Sequence, residues 1–313
     1  MNRLLNVLQT FATPHLTEKL KKVPIVTIYH PDEERVMYIP GVARGNKPYA
    51  WLQAKRFKDV RAYIQDHLQV NLQGNESNGI FSTLTVNPEF LPTPVSSWRA
   101  VREALPSFIR KFKKEFGVTA YITKREAHKS GYCHVHLAGL TSQCLKGWRD
   151  KNGKLRSRKV TDFIRENWPL GLIDAELVCD ATIGGYLTDE LGKYGQVENS
   201  LRRAKSGTLT DRDVKVMLTH YYADISRSRL FTTSRNLAVK VEEGEGVVDP
   251  ALLLLSNNPT TPRVVLVFSY AFLRSILGRE DCFYTNLRAP PEEFELIAEW
   301  LRMRGRQMPT FPS

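Results

Sequence analysis

Two runs, VTAYITKREAH (118–128) and YCHVHLAGL (132–140), are separated by only three residues, Lys129-Ser130-Gly131. Both are rich in β-branched, aromatic and alternating apolar positions, so both read as strands. A gap this short leaves room only for a reversal of direction, with glycine at the left-handed position of a three-residue loop. Such a loop puts His128 opposite Tyr132, Glu126 opposite His134 and Lys124 opposite His136. Directly opposed residues share a face, as do residues i and i+2 of one strand. His134, His136 and Glu126 therefore project together, with Glu126 beside His134, while Cys133 and Val135 face the other way. A two-residue loop would shift the pairing by one and turn Glu126 aside.

The surrounding pattern extends this hairpin into a domain. FSTLTV (81–86) is a strand, and Trp98, Val101, Leu105, Phe108, Phe112 and Phe116 step by three or four as on a helix, which Pro106 should kink or divide. A helix near 161–167, the strand LIDAELVC and a helix from about Thr182 to Tyr194 follow. The order β-α-β-β-α-β-α predicts an α+β fold, a ferredoxin/RRM-like antiparallel sheet with helices on one face. Residues 1–75 form an N-terminal extension whose hairpin pairs VPIVTIYH with ERVMYIPG. The polar LQGNESNG (72–79) reads as a linker, 76–236 as the central domain, and EEGEG (242–246) as a linker in the C-terminal region 237–313. That last region is helical in part, through PPEEFELIAEWLRMRG (290–305), and suits DNA binding or oligomerisation.

A net charge of +12 favours a polyanionic partner, either nucleic acid or an anionic membrane surface. The longest apolar run, VVLVFSYAFL (264–273), is too short to span a bilayer, and the N-terminus lacks the uninterrupted core of a signal peptide. Four cysteines without paired spacing read as reduced thiols, and the expected location is the cytoplasm, that of a host cell if the gene is plasmid- or virus-borne. No phosphate-loop sequence occurs, so no helicase domain is expected.

Two imidazoles on one strand face can reach a single divalent ion; the alternative is a hydrogen-bonded pair with no metal. Glu126 would complete a mixed nitrogen and oxygen set suited to Mg²⁺ or Mn²⁺ acting on a phosphodiester. Further on, TIGGYLTDELGKYG (182–195) places Tyr186 and Lys193 two helical turns apart on one face, with Asp189 and Glu190 between them. A tyrosine there can serve as a covalent nucleophile or simply pack on the sheet. Tyr194 is a second candidate.

The succession of FSTLTV, HVH and a helical tyrosine followed by lysine resembles the HUH endonucleases of the rolling-circle replication initiator (Rep) type. The resemblance covers residues 80–195 and extends toward Asn236, making 76–236 the endonuclease domain. It implies that Phe81–Thr85 is a structural strand, that His134, His136 and Glu126 bind the metal, that Tyr186 is the nucleophile, and that Lys193 is the lysine of its helix. The implied activity is nicking and rejoining of single-stranded DNA at an origin, with Mn²⁺ or Mg²⁺ and a 5′-phosphotyrosine intermediate. Host helicase and polymerase would be its partners. Asp189 and Glu190 stand where many such enzymes carry a lysine and some a second tyrosine, which implies a single-tyrosine enzyme. Relaxases place their tyrosine before the histidines, unlike this chain.

DNA contacts are expected from KGWRDKNGKLRSRK (146–159), through Trp148, Arg149, Lys151, Lys154, Arg156, Arg158 and Lys159. LRRAK (201–205) and ISRSRLFTTSR (225–235) are lesser candidates. Three alternatives remain: a single-tyrosine HUH transposase, a non-catalytic nucleic-acid-binding regulator on the same fold, and a zinc-stabilised structural protein. The last is weakened by the scattered cysteines.

Overall fold

The computed structural model describes residues 2–21, 24–30, 35–40, 59–179, 197–234, 237, 263–269 and 288–289. Its chain falls into two compact units, Met1–Leu16 with Ala50–Lys240, and Thr17–Tyr49 with Val241–Ser313. The fold is α+β. No helix among the described residues is long and apolar enough to cross a membrane.

The second unit holds a four-stranded antiparallel sheet. Strand β1 (Pro24–His30) pairs with β2 (Arg35–Pro40), the expected hairpin. Two strands from the other end of the chain flank it, β11 (Arg263–Ser269) beside β1 and β12 (Arg288–Ala289) beside β2.

In the first unit, β3 (Val70–Asn71), β4 (Glu76–Thr85), β5 (Val118–Ala127), β6 (Cys133–Lys146), β9 (Ile173–Leu177) and β10 (Phe231–Thr233) make one antiparallel sheet. Its order is β10-β5-β6-β4-β3, and β9 also pairs with β4. The stretch 72–79, expected as a linker, is instead the turn between β3 and β4 and the beginning of β4. Polarity misleads there because Ser77 and Asn78 are buried, with Ser77 Oγ donating to Val178 O at 2.6 Å and Asn78 Nδ2 to His67 O at 2.9 Å.

One face of this sheet carries the main core. Helix α4 (Pro94–Phe116) begins at Thr93, whose hydroxyl accepts from Ser96 N, and ends at Gly117 with φ 58°, a left-handed cap that glycine adopts without strain. Trp98, Val101, Leu105, Phe108, Phe112 and Phe116 are all buried. Pro106 lies inside this single helix rather than dividing it, because apolar side chains on both sides of it pack into one core. Helix α5 (Arg158–Asn167) joins that layer, Phe163 meeting Phe108, Phe112 and Phe116.

Helices are not confined to that face. On the opposite one, the helix at 59–67 (α3) sets Val60 and Ile64 against Ala120, Ile122, Ala138 and Leu140. The sequence reading missed it because the residues it covers, small or aliphatic in β5 and β6, look the same whether one face or two is buried. The other end of this face carries the histidines.

Helix α6 (Val197–Lys205) packs on α7 (Asp211–Ile225), which packs beside β5. Asp213 joins them: it accepts from Ser200 Oγ at 2.8 Å and Arg203 Nε at 2.7 Å, and completes the cap at Thr210. Burial alone would raise its carboxyl, but the hydrogen bonds from Arg203, Thr210 and Ser200 hold it well below the usual carboxylate range.

Candidate functional site

The β5–β6 hairpin has the register that a three-residue loop predicts. Lys124 opposes His136, Glu126 opposes His134, and His128 N donates to Tyr132 O at 2.8 Å. Gly131 carries the turn at φ 86°, and a Cβ there would lie 3.2 Å from Tyr222 and 3.3 Å from Pro94. Glycine is needed twice at this point, for its backbone angle and for the packing.

Strand β4 runs along the other side of β6, with Thr83 opposite His136 and Thr85 opposite His134. The threonine hydroxyls meet the two imidazoles at Nδ1, at 3.2 Å for His136 and 3.4 Å for His134. Their rings lie 4.8 Å apart, and His128 stacks on His134 at 5.8 Å. Three histidines and Glu126 thus occupy one end of one sheet face.

The carboxylate departs from expectation. Glu126 shares a register position with His134, yet its Oε1 bonds His136 Nε2 at 3.1 Å. Two ammonium groups hold it there: Lys124 Nζ lies 2.8 Å from Oε2, and Lys215 Nζ, from α7, lies 2.7 Å from Oε1. Burial favours the neutral acid, but the His136 hydrogen bond and the charges of Lys124, His136 and Lys215 outweigh it and keep the carboxyl well below its usual range. Lys124 is itself only 2% exposed.

His134 is held neutral. Burial pushes it down to about 4, with neighbouring His136 acting in the same direction and Glu126 opposing. Unfolding restores the ordinary imidazole and takes up a proton, so this contribution is fully present above about pH 6.5 and is lost as pH falls toward 4. Glu126 adds a loss of the same sign below about 4.5. We expect urea-unfolding stability to fall by up to about 3 kcal/mol from His134 alone between these limits. His134→Gln should flatten the slope in that window, and an unchanged slope would refute this account.

Among the described residues, no three His, Cys, Asp or Glu side chains are arranged to hold a metal ion. The donor chemistry of the cluster nonetheless fits one. Threonines at both Nδ1 atoms give each ring the outer partner that orients metal-binding imidazoles. No hydrogen bond among the described residues reaches His134 Nε2. The 3.1 Å between His136 Nε2 and Glu126 Oε1 is also the spacing of two adjacent ligands on an octahedral ion with bonds of about 2.1 Å.

The predicted DNA-binding stretch is a hairpin, β7 (Trp148–Arg149) with β8 (Leu155–Arg156), next to β9. Trp148 is exposed, as are Arg149, Lys151, Lys154, Arg158 and Lys159. Several of its charges are engaged within the protein. Arg156 binds Asp150 and Asp174, Lys154 lies 2.9 Å from Glu176, and Lys159 lies 3.2 Å from Glu115. Arg149 Nη1 donates to Gly153 O at 2.7 Å. Asp174 opposes Thr83 across β4, so the hairpin borders the histidine face.

Tyr186, Lys193 and Tyr194 lie outside the described residues, as do the segments 242–246 and 290–305. Sequence reasoning overlooked Lys215, which is 89 positions from its partner Glu126 and sits on a separate helix. Thr83 and Thr85 had a signal: they alternate in FSTLTV as the histidines do in HVH. No family model, curated protein or solved structure matches the chain.

Proposed function

We propose that the protein is a metal-assisted DNA nicking and joining enzyme, a rolling-circle replication initiator of the HUH type. The observation that carries this reading is the cluster of His134, His136 and Glu126 on one sheet face, with both imidazoles braced by threonines at Nδ1. Strand order supports the ferredoxin-like core the reading requires: taking β4, β5, β6 and β9 as first to fourth, the sheet runs 2-3-1-4. The basic hairpin beside that face suits a single strand, with Trp148 available to stack on an unpaired base.

A divalent ion held by His134, His136 and Glu126 would supply positive charge at the scissile phosphate. Tyr186 is the nucleophile: its oxygen forms a bond to phosphorus, the bond to the 3′-oxygen breaks, the phenolic proton is released, and the departing oxygen takes up a proton as a 3′-hydroxyl. The 5′-phosphotyrosine keeps the energy of the broken diester, so a hydroxyl attacking it reverses the step and rejoins a strand. Lys193, on the same segment, serves as a cationic contact for the phosphate.

The test is incubation with Mn²⁺ and labelled single-stranded oligonucleotides from the protein's own replicon, read on denaturing gels. A metal-dependent protein–DNA adduct is expected, and Tyr186→Phe should abolish it. An adduct that survives that change moves the nucleophile to Tyr194. A second reading, a non-catalytic nucleic-acid-binding regulator, is favoured by the two lysines that saturate Glu126. It predicts oligonucleotide binding without cleavage, unaffected by Tyr186→Phe.

A further inference from the structure

Glu126 has two lysine partners of different character. Lys124 lies two residues away on the same strand, and its side chain, 2% exposed, is shut off from water. Lys215 approaches from α7 with its side chain 35% exposed, so its four-carbon stem can return the ammonium to water. The two also hold different oxygens, Lys124 taking Oε2 and Lys215 taking Oε1. Oε1 is the oxygen adjacent to His136 Nε2, the one an ion shared with that imidazole must use.

We propose that Lys215 is an exchangeable counter-cation that occupies the divalent ion's place on Glu126 and yields it when the ion binds. The inference rests on the metal-site reading above. Turning His136 Nε2 to the ion frees one lone pair of Oε1, but the ion would then share that oxygen with the Lys215 ammonium. Like charges sharing that oxygen would also repel strongly in a site this buried. Lys215 must therefore leave, whereas Lys124 stays and keeps Oε2 neutralised.

The threonine at His136 suits both states. While Nε2–H donates to Glu126, the Thr83 hydroxyl stands at Nδ1, where it can donate to the ring. When Nε2 is given to an ion, Nδ1–H donates to the same hydroxyl, which can reverse its role. A carboxylate in place of Thr83 could only accept, and would favour the metal-bound tautomer alone.

The exchange is tested by titrating the full-length protein with Mn²⁺ and following free ion by its electron paramagnetic resonance signal. Lys215→Met should bind Mn²⁺ on the order of tenfold more tightly than the wild type. Adding His134→Ala should remove the gain, which places the ion at this cluster. Lys129→Met removes an equal charge from the exposed turn nearby and should leave affinity unchanged; an equal gain there would mean general electrostatics and overturn the exchange. Equal Mn²⁺ affinity in the wild type and Lys215→Met, both sensitive to His134→Ala, would also overturn it while keeping the metal site. Absence of any His134-dependent binding in every variant would reject the metal site itself. Thermal melts of each variant identify any that fail to fold.

Discussion

Glu126→Ala is expected to destabilise the protein by about 3–5 kcal/mol, as removal of one partner from a buried ion pair does. The cost comes less from the lost contacts than from what is left behind. Lys124, almost wholly buried, would lose the carboxylate its ammonium is paired with, and His136 Nε2 would lose its acceptor. Lys215, being partly exposed, would return to water at little cost. Urea denaturation of the single and double variants checks this directly. Lys124→Met combined with Glu126→Leu should recover most of the loss, because it removes both charges instead of stranding one. If the double variant is no more stable than Glu126→Ala, the burial of Lys124 is not the source of the cost. The recovered double variant would also be a folded protein without the carboxylate ligand, so a loss of Mn²⁺ binding in it could not be blamed on unfolding.

That charge cluster marks how far the sequence could be read. The hairpin and its register were legible because a three-residue loop containing Gly131 and the alternation of HVH are local facts. The α4 stripe was legible for the same reason, six apolar residues repeating at helical spacing. Glu126 was placed correctly, on the right face and opposite His134, but its carboxylate reaches on to His136, since register fixes where a side chain starts and not where neighbouring charges draw its end. Lys215 could not have been assigned, because nothing in a helix that begins DRDVK says which strand its lysine will meet. Pairing of β1 with β11 joins residues that are more than two hundred positions apart, and hydrophobic periodicity carries no information about partners at that distance. In the basic stretch the cations are plain in the sequence, but of the acids that engage them only Asp150 is local, while Asp174 and Glu176 come from β9 and Glu115 from α4.

Trp98→Ala should cost about 3–5 kcal/mol, the range for truncating a large buried aromatic, and should disturb the site although Trp98 touches neither histidine. Trp98 is fully buried in the first turns of α4, and its Nε1 donates to Gly131 O at 3.2 Å. Its neighbour Ser97 accepts from Cys133 N at 3.0 Å, so two consecutive residues brace the turn that sets the register of Glu126 and His134. The indole also stacks on Tyr222 of α7 at 6.4 Å, on the helix that delivers Lys215. Alanine would leave a cavity between all three elements and strip the Gly131 carbonyl of its donor. Trp98→Phe would fill most of the volume but still lose the hydrogen bond, and should cost about 1–3 kcal/mol. Calorimetry orders the two variants. Imidazole NMR signals then separate packing from positioning: both variants should shift His134 and His128, which stack at the end of that turn, while leaving the far end of the same face, where α3 packs, unchanged. A Trp98→Phe protein with unmoved histidine signals would show that the turn holds its register without the indole bond, and that Gly131 alone sets the geometry of the site.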